Sequence, residues 1–163
     1  MKFAVVASNA GEYADPKLLI QLAREAELAD WDGFFIWDML YSDDEPLVDT
    51  FVALSAIAVS TERIRLGTMA LGLGRRRPWK VAREAVTLDM LSNGRLILAV
   101  GAGHPSDKAL EWKGEVHTLP NSPEAIASWE AAGATWCRCE LPVSFDRLSD
   151  ARQFLRAGPP RNS

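Results

Sequence analysis

Two kinds of stretch alternate along the chain. Short, nearly unbroken apolar runs occur at Lys2–Ala7 (KFAVVA), Gly33–Leu40 (GFFIWDML), Ile64–Leu71 and Leu96–Gly103 (LILAVGAG). Between them lie longer segments whose apolar residues recur every three or four positions. Runs apolar on both faces predict strands of a parallel sheet covered by helices. In the first helical segment Asp15 is a cap and Pro16 takes the first position, where a missing N–H costs nothing. Leu19, Leu22, Ala23 and Ala26 then share one face, Arg24, Glu25 and Glu27 turn largely outward, and Trp31-Asp32-Gly33 ends the helix. Asp49 or Thr50 opens the second helix, with Phe51, Leu54, Ile57 and Ala58 as its buried stripe. Pro78 opens the third, Val81, Ala85 and Leu88 recur at the helical period, and Ser92-Asn93-Gly94 breaks it. The predicted order to Gly103 is β-α-β-α-β-α-β with short connections. That order fits half of a (β/α)₈ barrel or an open doubly wound sheet.

Beyond Gly103 the regularity fails. Residues 104–121 carry a short helical pattern at Ser106–Trp112 and a short strand pattern at Glu115–Leu119, neither strongly periodic. Ser122-Pro123 then caps a helix bearing Ile126, Trp129 and Ala132, which Gly133 ends. Thr135–Leu141 reads as a strand with Trp136, Arg138 and Glu140 on one face and Cys137 and Cys139 on the other. A last helix, Ser144–Ala157, packs through Phe145, Leu148 and Leu155. One domain is expected, divided into four β/α units (1–103), an irregular join (104–121) and a closing helix–strand–helix (122–160).

Composition narrows the class. With 163 residues, 48% of them hydrophobic, the chain can build one sizeable core. A net charge of −4 and a pI near 5.2 argue against a nucleic-acid partner. Met1 is not followed by the basic and apolar regions of a signal peptide. No apolar stretch approaches the roughly 20 residues of a membrane span. Cys137 and Cys139 point to one face of a strand, a geometry that suits two reduced thiols rather than a disulfide. A cytoplasmic protein without membrane or nucleic-acid partners is expected.

The motifs carry more. The opening KFAVVASNAGEY, the helix LLIQLAREAELADWDGFFIWDML, the run TERIRLGTMALGLGRRRPWKVAREAVTLDMLSNGRLILAVGAG and the closing EAAGATWCRCELP resemble the bacterial luciferase-like monooxygenase family. The resemblance covers Met1–Gly103 closely and about 124–160 less tightly. It implies a (β/α)₈ barrel that uses FMN or a deazaflavin. A whole barrel needs roughly 250 residues. The chain therefore resembles strands one to four joined to the last helix–strand–helix, shortened by an internal deletion. The implied architecture is an α/β partial barrel of about five parallel strands, ordered last-first-second-third-fourth. Where many relatives close the second strand with Trp-Asp-His, this chain has Trp37-Asp38-Met39. A methionine packs but cannot shuttle a proton.

In a barrel, chemistry gathers at the C-terminal ends of the strands. Asp38 is the only carboxylate immediately closing one of the first four strands; it either orients a cofactor ring or substrate, or binds nearby backbone. His104 is the rim histidine and the candidate acid or base, while His117 falls in the join. The resemblance implies that Thr68, Met69 and Ala70 form a bulged wall behind the flavin ring, often with a non-proline cis peptide. Gly101 and Gly103 let a ligand approach the backbone. Arg75-Arg76-Arg77 before the Pro78 helix suits a phosphate, a solvated loop or an ion-pair partner. An open arc of five strands exposes two edges and an apolar face, which predicts a homodimer or higher oligomer. Two functions follow. One is a flavin- or deazaflavin-dependent oxidoreductase acting on a small molecule. The other is a shortened, non-catalytic barrel without cofactor, serving as an oligomeric binding or assembly module.

Overall fold

The computed structural model describes residues 1–40, 42, 44–101, 136–141 and 148–159. Within them the chain forms β1 (Lys2–Ala7), α1 (Pro16–Leu28), β2 (Gly33–Ile36), α2 (Thr50–Ser60), β3 (Arg65–Gly72), α3 (Pro78–Leu91), β4 (Leu96–Gly101), β5 (Trp136–Glu140) and α4 (Leu148–Ala157). Every strand pair is parallel, and the order across the sheet is β4-β3-β2-β1-β5. This is the expected arc of a partial barrel, with the last strand beside the first. The join, the helix expected at Ser122–Gly133 and the expected start of the last helix at Ser144 lie outside the described residues. So do the site candidates Gly103 and His104.

Capping chemistry sets the helix starts as the sequence suggests. The Asp15 carboxylate accepts from the Lys17 amide at 2.9 Å, and Asp49 accepts from the Val52 amide at 2.9 Å. Helix ends use left-handed residues: Asp30 (φ 59°) after α1, and Asn93 (φ 56°) with Gly94 (φ 76°) after α3. The Trp31 amide donates back to Ala26 and the Gly94 amide to Asp89, which satisfies carbonyls the helices leave open. Helix α1 thus ends at Leu28, three residues before the expected stop.

Alternation along the strands separates two faces. Phe3, Val5, Phe34, Ile36 and Leu66 pack against Leu19, Leu22, Leu54, Ile57 and Leu88 of the helices. Full burial of such side chains contributes roughly 1.5–3 kcal/mol each. On the opposite face, the barrel interior, Ala4, Val6 and Phe35 are buried with Trp37, Met69 and Ile97 against them. Here β3 and β4 approach so closely that a Cβ on Gly67 would stand 1.9 Å from the Ile97 carbonyl oxygen. Helix α4 closes onto α1. The Trp31 indole N–H donates to the Leu155 carbonyl at 3.0 Å, and its ring meets Phe154 at 5.3 Å. No helix among the described residues is long and apolar enough to cross a membrane.

Two elements differ from expectation. Strand β2 stops at Ile36 rather than Leu40, because the Trp37 carbonyl accepts from Thr50 Oγ1 (2.8 Å) and the residues after it turn toward other loops. Glu27 does not simply face solvent. Its carboxylate accepts from the amides of Glu62, Arg63 and Ile64, at 2.6 Å for Arg63 and 2.8 Å for Ile64. Burial acts to raise its pKa, but those three N–H groups and the Arg63 charge outweigh it and hold the carboxyl below its usual range.

Beside Glu27, Arg95 is buried beneath the sheet. Its guanidinium donates to the carbonyls of Ser92, Ile64, Ala58 and Thr61 and to the Thr61 hydroxyl. Burial lowers its pKa, Glu27 raises it and Arg65 lowers it, for a net fall. One side chain thus binds the C-terminal end of α2, the start of β3 and the cap of α3, where a cation also opposes the helix dipole. The T-E-R-I and S-N-G-R strings are therefore a fastening at the N-terminal ends of the strands, far from the rim.

Candidate functional site

At the C-terminal ends of the strands, Asn9 ties three loops together. Its side-chain amide donates to the carbonyls of Met39 (2.8 Å) and Val48 (3.0 Å), and its oxygen accepts from the Met39 amide (3.0 Å). Met39 is thereby held by its backbone, with a half-buried side chain. Asn9 was visible in the sequence only as a rim loop residue, and its role depends on partners 30 and 39 positions away.

The bulge expected on the third strand is present. Thr68 pairs with Leu98 and Leu71 with Val100, so β3 carries one extra residue, and the Met69–Ala70 peptide is cis. The three residues divide their tasks. Thr68 is buried and its hydroxyl donates to the Ala99 carbonyl at 2.7 Å, so this side chain braces the bulge. Met69 packs toward Phe35 on the interior face, and Ala70 is exposed. On β4, Gly101 pairs with Gly72, and a Cβ there would reach only the Ala70 Cβ, at 3.5 Å. Met69, Ala70 and Gly101 thus form an apolar ledge beside glycine backbone. A flat aromatic ring can lie on such a ledge without displacing a side chain.

Asp38 stands beneath that ledge with its side chain fully buried. Oδ2 accepts from the Gly72 amide (3.1 Å), Arg75 Nη2 (3.2 Å) and Arg76 Nε (3.2 Å), while Oδ1 accepts from Arg76 Nη2. Arg75 also donates to the Asp38 carbonyl. The Arg76 guanidinium lies 5.6 Å from the centroid of the Phe51 ring, a cation–π contact. Of the readings open for Arg75-Arg76-Arg77, the ion pair describes Arg75 and Arg76, which turn inward. Arg77 is exposed at the start of α3. The rim therefore brings together Asp38, Thr68, Met69, Ala70 and Gly101. Gly103 and His104 are placed only by sequence, two and three residues beyond Gly101.

The sequence matches the luciferase-like monooxygenase family over residues 1–130. It is 38% identical over 100 residues to 4-hydroxyprotoasukamycin monooxygenase of Streptomyces nodosus subsp. asukaensis, covering 57% of this chain and 26% of that protein. It is 33% identical over 164 residues to the F420-dependent glucose-6-phosphate dehydrogenase of Beutenbergia cavernae, covering 94% and 47%. Among solved structures, the coenzyme F420 dependent tetrahydromethanopterin reductase of Methanopyrus kandleri superposes with a TM-score of 0.57 at 25% identity, covering 64% of this chain and 28% of that one. The chain thus spans about a quarter to a half of the length of these relatives. Strand order, bulged third strand and sequence agree: the chain belongs to the luciferase-like monooxygenase family.

Proposed function

We propose that this chain is a flavin- or deazaflavin-dependent oxidoreductase of the luciferase-like class, acting on a small organic molecule at the C-terminal rim of its partial barrel. The observation that carries the reading is the bulge: it turns Met69 inward, leaves Ala70 exposed beside Gly101, and so makes an apolar wall where a ring stacks. The relatives named for F420 support a deazaflavin, and those named as monooxygenases leave FMN equally open. When bound, such a cofactor supplies hydride or reacts with oxygen. The protein's share is positional. Met69 and Ala70 support one face of the ring, and Gly101 admits it close to backbone; Gly103 is assigned the same task from sequence alone. His104, placed only by its position in the sequence, is the candidate acid or base, and Met39 packs against substrate without moving a proton.

The reading extends to assembly. Val100 on β4 and Trp79, Val86 and Met90 on α3 are exposed, with Trp79 at 70% and Met90 at 74%. Large apolar side chains left in water favour association at ~25 cal/mol per Å² covered. A homodimer or higher oligomer covers this surface and completes the pocket. Size-exclusion chromatography with light scattering and in-line absorbance tests both parts. The expected result is a dimer that retains added deazaflavin or FMN. A colourless oligomer instead favours the alternative, a non-catalytic assembly module.

A further inference from the structure

We infer that Asp38 is a positioning residue: held between Arg75 and Arg76 and accepting the Gly72 amide, it anchors the loop after β3 and thereby the wall at Met69 and Ala70. The cofactor half of this inference rests on the function proposed above; the anchoring half does not. A carboxylate offers about four acceptor positions. On Asp38, Oδ2 meets the Gly72 amide, Arg75 Nη2 and Arg76 Nε, and Oδ1 meets Arg76 Nη2, with no side-chain exposure. A general acid or base must instead reach a proton on the reacting molecule.

The geometry transmits the constraint. Asp38 sits between Ile36, the last residue of β2, and Met39, whose backbone Asn9 grips from both sides. The carboxylate is therefore the stationary partner and the loop the restrained one. Gly72 ends β3 only two residues after Ala70 and pairs with Gly101. Arg76 adds a second tie, to Phe51 on α2. Charge-assisted bonds of this type are about twice as strong as neutral ones, so the loop's restraint centres on one carboxylate. The two guanidiniums also exceed the single carboxylate by one charge, which places positive charge beneath the wall.

The experiment compares wild type with Asp38→Asn and with the double variant Asp38→Asn/Arg76→Gln, which restores the charge balance if the single variant does not fold. Amide hydrogen exchange is read on the protein without cofactor, and dissociation constants are then measured for FMN and for a deazaflavin. The expected result is exchange at the Gly72 and Arg76 amides faster by about tenfold or more, with Ile64 and Leu66 unchanged. Cofactor affinity falls by about tenfold or more in the same variants. Unchanged exchange at Gly72 in a folded variant overturns the inference, as does an increase spread evenly over the sheet, which marks a merely structural role. Locally faster exchange in a protein whose wild type binds neither cofactor upholds the anchor and refutes the proposed function instead.

Discussion

Replacing Arg95 by methionine should cost this protein a large part of its stability. The substitution keeps an apolar stem of similar length and removes the guanidinium, which donates to four carbonyls and one hydroxyl in a buried setting. A buried acceptor that loses its partner costs about 1–3 kcal/mol, and several such acceptors lie together here. Water entry and alternative donors recover part of the loss. A net destabilisation of about 3–5 kcal/mol follows, in the range seen when a buried charged group is removed from its partners. Against a total of 5–15 kcal/mol for ordinary domains this is severe. In urea it moves the midpoint by about 2 M at a typical slope, and in thermal melts it lowers Tm by about 6–20 °C. Arg95→Lys, whose ammonium reaches fewer acceptors, should fall between. Arg24→Met, which removes one exposed bond to the Ser60 carbonyl, should cost less than about 1 kcal/mol. An Arg95→Met protein within about 1 kcal/mol of wild type would show that the guanidinium does not fasten these carbonyls.

Other perturbations probe separate parts of the structure. Gly67→Ala drives a Cβ to 1.9 Å from the Ile97 oxygen and 2.9 Å from its carbonyl carbon, so the β3–β4 ladder must open. The expected loss is about 3 kcal/mol or more, with rapid exchange of β4 amides; native-like exchange there would contradict the close approach. Glu27 has a folded pKa below its ordinary 4.5. Its stabilising contribution is complete above that value and is lost as pH falls through the folded pKa. The stability difference between wild type and Glu27→Gln should therefore be present at neutral pH and shrink in acid; a difference independent of pH would contradict this. Tyr13 is pushed up to about 12 by burial and then by Glu12. Wild type should thus lose stability between pH 10 and 12, as the unfolded phenol ionises first. Tyr13→Phe should remove that loss, and ultraviolet titration should show its late phenolate component gone.

Much of the fold was legible because the signals are local. The apolar runs of β1 and β4, the Asp15-Pro16 and Asp49 caps, and the Ser92-Asn93-Gly94 stop each act within a few residues. The resemblance supplied what local signals cannot, the pairing of β5 with β1 and the bulge between Thr68 and Leu71. Charged residues were the obscure part. Glu27 and Arg75-Arg76 have the spacing of solvated faces and loops, and Arg95 that of a residue after a turn. Most of their hydrogen-bond partners lie 31 to 38 positions away. Only the fold, which brings helix ends and strand ends together, turns these side chains inward. The shortening of β2 has the same origin, since Thr50 and Asn9 capture its continuation.

The ledge at Ala70 is the centre of the functional account, and a paired cofactor titration tests it most directly. Wild type and Ala70→Trp are titrated with FMN and with a deazaflavin while cofactor fluorescence is followed. Ala70 is exposed, so the larger side chain fills the ledge without entering the core, and thermal melts check that both proteins are folded. The account predicts quenching by wild type with a dissociation constant below about 100 μM and no quenching by Ala70→Trp. Equal binding by the two proteins would contradict the placement of the site, and no binding by wild type would contradict the proposed function itself.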